Sequence, residues 1–226
     1  MVIEMARLNP KIERTVGVKK QYLGKVLIIC EGETEFNYFN YFSSIINNNR
    51  DKYSHIEIEF VKANGNSKAV LIRANSFLST GNNASQYHTY EKYLVFDCDA
   101  PSNIDEVIKE MMESPHCFIM LLTNLLFETW LLMHFEVVDK PLKKIQVIKK
   151  LKEHLRISRY TSKQKSSIGL IRKVIDGGDN VVAAISNAKQ LEKEYEEMGY
   201  EIYKDVIKMN PYTTVQNLIE KILIEI

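Results

Sequence analysis

Short, unbroken apolar runs alternate with helix-like stretches between residues 25 and 135, and this alternation restricts the fold more than any other feature. Val26–Cys30, Tyr93–Phe96 and Cys117–Leu122 are apolar at every position. Runs of that length with no polar face read as strands buried on both sides. The stretch His55–Val61 instead alternates, with Ile56, Ile58 and Phe60 in phase, and reads as a strand with one wetter face, nearer a sheet edge. Between the strands, Thr34 to about Asn47 carries Phe36, Tyr38, Phe39, Phe42, Ile45 and Ile46 near helical spacing. Lys68–Leu78 behind Ser67, Asn103–Glu113 behind Ser102, and Leu125–Phe135 also read as helices, the serines as their caps. The order βαβαβαβα predicts an α/β fold, a mostly parallel sheet with helices on both faces.

With 226 residues, 45% of them hydrophobic, the chain suits one compact domain, or one domain with an appendage. Residues 1–24 are polar and basic, contain Pro10 and Gly17, and read as an arm. Residues 25–138 are the α/β part. After Pro141 strand signals disappear, and 139–226 reads as a helical, partly basic region packed on it, with helices over 142–155, 179–198 and 212–226. Gly199 stops the second of these, and Thr213 or Thr214 caps the third. The first fifteen residues lack the apolar stretch of a signal peptide. The longest apolar stretch, Cys117–Phe127, is too short to span a bilayer and is broken by Thr123 and Asn124, so a cytoplasmic protein with no membrane partner is expected. Cys30, Cys98 and Cys117 lack CxxC spacing and read as buried free thiols.

The net charge of +1 hides a strong asymmetry. Residues 26–138 hold seven Lys/Arg against fifteen Asp/Glu, whereas residues 139–173 hold twelve against two. A basic block following an acidic α/β segment reads either as a solvated helix face or as a surface for a polyanion such as DNA or RNA. Its candidate contacts are Lys143, Lys144, Lys149 and Lys150. Lys163 and Lys165 follow a turn, where they contact phosphate or lie on a mobile surface loop.

Two of the apolar runs end in acid. Val26–Cys30 stops at Glu31 in "EGETE", and Tyr93–Phe96 stops at Asp97 in "DCD", with Asp99 two residues on. Parallel α/β sheets build sites outside the carboxyl ends of their strands. If the two strands are neighbours, Glu31, Asp97 and Asp99 converge, and Glu35, one helical turn beyond Glu31, faces the same space. Carboxylates so close stay ionised when a hard cation stands among them, and Mg²⁺ or Mn²⁺ suits such oxygen donors. His134 lies six residues after Glu128, about 120° away around a helix, so the two do not share one metal; a packed or hydrogen-bonded role beside Trp130 is expected, with Trp130, Phe127 and Phe135 in the core.

The segments "ICEGETEFNYF", "VFDCDAPSN", "TNLLFETWLLMHFE" and "NPYTTVQNLIEKI" resemble the successive motifs of RloB-like proteins, bacterial defence proteins with a Toprim catalytic domain. The resemblance runs from about Lys25 to Ile224. It implies that Glu31 is a metal ligand or general acid/base, that Glu35 is the second acid of that motif in the nuclease branch, and that Asp97 and Asp99 are Mg²⁺ ligands. It further implies that Glu128 completes a second metal position, and that a partner ATPase acts beside the protein in antiviral defence. One departure stands out: the segment before "FE" often reads Ser-Asn-Pro-Cys, and here it is Thr123–Leu126, which leaves a phosphate-contact role for Thr123 open.

The leading expectation is a Mg²⁺-dependent nuclease. A phosphatase of the haloacid dehalogenase type, with Asp97 as nucleophile and Asp99 as acid/base, is the alternative; it wants Thr or Val where Pro101 stands and leaves "EGETE" without a task. A third reading keeps the fold as a non-catalytic regulatory or interaction subunit.

Overall fold

The computed structural model describes residues 23–98, 101–176 and 180–226, the side chains of 101–103 excepted. Among the described residues five strands form one sheet: β1 (Lys25–Cys30), β2 (Glu57–Lys62), β3 (Glu91–Asp97), β4 (Phe118–Asn124) and β5 (Tyr212–Thr213), in the order β2-β1-β3-β4-β5. The first four are mutually parallel and β5 pairs antiparallel with β4. The helices are α1 (Glu33–Asn48), α2 (Ser67–Ser79), α3 (Asn83–Gln86), α4 (Pro101–Met112), α5 (Phe127–Leu132), α6 (Lys144–Leu155), α7 (Ser162–Lys165), α8 (Ile168–Ile175), α9 (Asn180–Glu197), α10 (Ile202–Asp205) and α11 (Val215–Glu225).

The unbroken apolar strands are the inner ones, and their alternate residues supply two separate cores. Val26, Ile28, Cys30, Tyr93, Val95 and Leu121 pack on one face against α1, α5, α6, α8, α9 and α11. Leu27, Ile29, Leu94, Phe96, Met120 and Leu122 pack on the other against α2 and α4. The alternating strand, β2, lies at the sheet edge, as its pattern requires. Most helices after residue 139 therefore complete one face of the sheet, while Tyr195 of α9 and Ile202 of α10 pack against the other core. Burying the inner-strand side chains on both faces is worth roughly 1.5–3 kcal/mol for each large one.

Local differences from the sequence reading have local causes. Strands do not end at Pro141: β5 returns some ninety residues after β4 and pins its end, with Thr213 Oγ1 3.0 Å from Thr123 Oγ1 and Thr214 N donating to Leu122 O at 3.0 Å. This uses the buried Thr123 hydroxyl for sheet closure. Asn66, not Ser67, caps α2, accepting from Ala69 N at 3.1 Å. Helix α4 starts at Pro101, ahead of Ser102, because proline's fixed φ suits a first helical turn. Thr214 holds the cap position of α11, while Thr213 Oγ1 accepts from Val215 N at 3.2 Å. Gly199, at φ +80, ends α9 in the left-handed conformation that a side chain resists. Cys30 and Cys98 are buried and outside any disulfide, but Cys117 is exposed, since it sits in the turn before β4 rather than in the strand. Among the described residues no helix is long and apolar enough to cross a membrane. Residues 1–22 of the expected arm over 1–24, and Asp99, lie outside the described residues.

Candidate active site at the strand ends

β1 and β3 are in register with Cys30 opposite Val95, so Glu31 and Asp97 leave the sheet side by side. The Glu31 amide extends the ladder by donating to Val95 O at 3.0 Å. Its carboxylate turns across, and Oε2 accepts from Asp97 N at 3.1 Å, which fixes it over the end of β3. α1 then sets Glu33 and Glu35 in its first turn, and α5, one strand further along, sets Glu128 in its own. Acids are favoured at helix starts, where amide N–H groups point outward. All five carboxylates line one pocket of about 300 Å³.

These acids are not equivalent. Glu33 is tied up at the rim by Lys62, at 2.8 and 2.9 Å, and the Lys62 ammonium also lies 3.8 Å from the Phe36 ring centroid. Glu35 is 6% exposed. Burial pushes its carboxyl up to about 7; the charge of Glu128 adds to that, and backbone hydrogen bonds and Lys165 hold it back. A Cβ on residue 32 would stand 3.1 Å from Glu35 Oε2, which explains a glycine in "EGETE": the carboxyl folds back onto that backbone. Glu128 is 2% exposed and pairs with Lys165, whose Nζ lies 2.7 Å from Oε1.

Lys165 reaches the acids from α7, within the basic block. Burial works against its charge, but the carboxylates, Glu128 foremost and then Asp97 and Glu35, outweigh that and raise its pKa. The pocket has thus drawn in an ammonium ion. The donors fit a hard divalent cation by their chemistry, being carboxylate oxygens with no imidazole among the pocket's lining residues. Among the described residues no three His, Cys, Asp or Glu side chains are gathered closely enough to hold a metal ion as they stand.

Other residues singled out in the sequence go elsewhere. His134 is buried away from the acids, with Nδ1 3.0 Å from Trp130 O and Nε2 3.0 Å from Tyr38 OH. Trp130 and Phe127 are core residues, and the half-buried Phe135 stacks on His154. Lys150 forms an ion pair with Glu136, which also binds His154 at 2.8 Å. Lys143, Lys144, Lys149 and Lys163 are exposed. In α6 the buried positions Val147, Leu151 and Leu155 leave Lys149, Lys152 and Arg156 on the outer face, a short basic stripe apart from the pocket. Sequence reasoning missed Tyr160. Burial, then the charge of Glu128, keeps its hydroxyl protonated far into alkali, so it lies against the acids as a neutral group. An aromatic between charged residues in a basic block gives no signal for that placement.

A family model described as RloB-like protein matches residues 26–222, and the chain therefore belongs to the RloB-like family. No curated protein and no solved structure matches it.

Proposed function

We propose that this RloB-like protein is a divalent-metal-dependent nuclease of the Toprim type, hydrolysing phosphodiesters of DNA or RNA in bacterial defence beside a partner ATPase. The observation that carries the reading is the convergence of Glu31, Glu35, Asp97 and Glu128 on one pocket that has already taken in a lysine ammonium. The resemblance of "EGETE" and "DCD" to Toprim motifs supplies the reaction class and the defence role. Mg²⁺ or Mn²⁺ would be held by Glu31, Glu35, Asp97 and Glu128, with Asp99 joining from its place in the motif. When bound, such an ion supplies positive charge to phosphoryl oxygens and lowers the pKa of water.

The chain's own groups do the rest. Glu31, oriented by the Asp97 amide, accepts a proton at a fixed position. Glu35, pushed up to about 7 by burial in the absence of a cation, gives up its proton on becoming a ligand. Exposed Lys149, Arg156 and Lys163, with half-buried Lys152, hold the polyanion by its phosphates.

The test incubates single- and double-stranded DNA, tRNA and total RNA with Mg²⁺ or Mn²⁺, with and without any ATPase encoded beside it. Wild type is expected to cleave one class, and Glu31→Gln to lose cleavage while keeping its fold, because Gln is nearly isosteric but carries no charge. Undiminished cleavage by Glu31→Gln contradicts the proposal. An aspartyl-phosphate trapped on Asp97 replaces it with the phosphatase reading.

A further inference from the structure

We infer that Lys165 is a tethered cation that closes the pocket to divalent metal until a polyanion draws it away, an inference that rests on the metal site proposed above. Its basis is how differently the two partners of the Lys165–Glu128 pair are held. Glu128 is rigid: it belongs to α5, its side chain is 3% exposed, and its helix is buried at every position. Lys165 is not. Its side chain is 44% exposed, and it sits on the single turn of α7.

Apart from the Lys165–Glu128 pair, the hydrogen bonds of residues 161–166 among the described residues close within 161–167. Thr161 N donates to Gln164 Oε1 at 2.9 Å, and Ser166 Oγ donates to Ser162 O at 3.0 Å. The turn is self-contained and can move as a unit. Its polar tie to the strand ends is the ammonium of Lys165, 2.7 Å from Glu128. On either side the chain is anchored by half-buried Ile157 and Tyr160 and by buried Leu170. Residues 161–169 are mostly exposed and include Lys163, and the exposed Arg159 stands between Ile157 and Tyr160.

A buried carboxylate must be compensated. One ammonium suffices for Glu128, but the same ammonium also faces the charges of Asp97 and Glu35. A divalent ion carries twice the charge and compensates the group better, and its like charge sets it against Lys165 beside the same carboxylate. Metal and Lys165 therefore compete for the same carboxylate. A polyanion lying along Arg159 and Lys163 offers Lys165 phosphate oxygens instead of Glu128. Whatever favours the displaced pose favours metal, and by linkage metal favours polyanion. The result is a site that fills with metal when substrate is present and stays closed with its own lysine when it is not.

The test is calorimetric titration of Mn²⁺ into the full chain, wild type against Lys165→Met, which keeps the apolar stem and removes the charge, with and without heparin as a polyanion that is not a nuclease substrate. Lys165→Met is expected to bind Mn²⁺ about 10-fold more tightly, in the range of ordinary coupling energies. Heparin should tighten Mn²⁺ binding to wild type and leave the variant unmoved. Saturating Mn²⁺ should also speed trypsin cleavage after Lys165 in wild type, because α7 loses its tie. Equal Mn²⁺ affinities in wild type and Lys165→Met overturn the gate while leaving the metal site standing. Absence of Mn²⁺ binding in both proteins, with and without heparin, overturns the metal site and the gate with it.

Discussion

Two buried ionisable sites lie along the same pair of helices, and they are settled in different ways. Deeper in the fold, Tyr38 of α1 and His134 just past α5 are both almost wholly buried. The Trp130 carbonyl can only accept, so His134 Nδ1 carries the proton, and the Tyr38 hydroxyl donates to Nε2. Burial pushes His134 down to about 4, and it stands neutral with both ring nitrogens satisfied. One turn earlier in α1, and six residues earlier along α5, Glu35 and Glu128 are nearly as buried. Their balancing ammonium comes from outside the α/β part, from Lys165 on a single exposed turn more than thirty residues downstream. A polar site complete within its own walls is structural; one that depends on an outside charge is open to exchange.

The largest effect that would break this contrast is on the deep site. His134→Leu leaves the Tyr38 hydroxyl and the Trp130 carbonyl without their ring partner, at a cost of about 1–3 kcal/mol for each group left unsatisfied. Urea unfolding should register that loss at neutral pH, while the response to divalent metal stays as in wild type. A changed metal response would mean that the two sites are one.

The pH dependences should oppose each other. The unfolded chain protonates His134 near 6.5, before the native state does at about 4. Stability from neutral His134 is therefore complete above 6.5 and is lost as pH falls toward 4. Glu35 behaves in reverse: it ionises near 4.5 when unfolded but at about 7 when native, so its contribution is full below 4.5 and is lost as pH rises to 7. Glu35→Gln should therefore stabilise the metal-free protein at pH 7 by roughly 3 kcal/mol at most, and hardly at all at pH 4.5. A decrease in stability at pH 7 would show that Glu35 is as well compensated as His134.

The smallest effect belongs to α6. Replacing Lys149, Lys152 and Arg156 together by Gln should leave unfolding unchanged, because these side chains lie on the outer face. It should weaken nucleic-acid binding and lower its salt slope by about one unit for each phosphate that the stripe no longer neutralises. An unaltered slope would make the stripe a solvated face.

Much of this contrast is legible in the sequence. The inner strands, their acids and the edge position of β2 follow from unbroken or alternating apolar runs, and the separation of His134 from Glu128 follows from helical spacing. What cannot be read there depends on pairings across long stretches of chain. β5 is two residues long and is defined by its pairing with β4, so no periodicity announces it. Lys165 looks like any other cation of a basic block, and only the return of α7 to the strand ends places it among the acids. Asn66 and Ser67 are both good caps, and the backbone selects the first. Cys117 sits one residue ahead of β4 at φ +53, outside the strand whose apolar run it extends.

The central claim is that the acids at the strand ends form a binding site for a divalent cation. Thermal unfolding of wild type and Asp97→Asn, each with and without Mg²⁺ or Mn²⁺, tests it most directly. At a hundred-fold excess over Kd, bound metal is worth about 2.7 kcal/mol, which for a chain of this size raises Tm by roughly 5–10 °C. The account predicts that rise in wild type and a far smaller one in Asp97→Asn. Equal shifts in the two proteins, or none in wild type at millimolar metal, would contradict it.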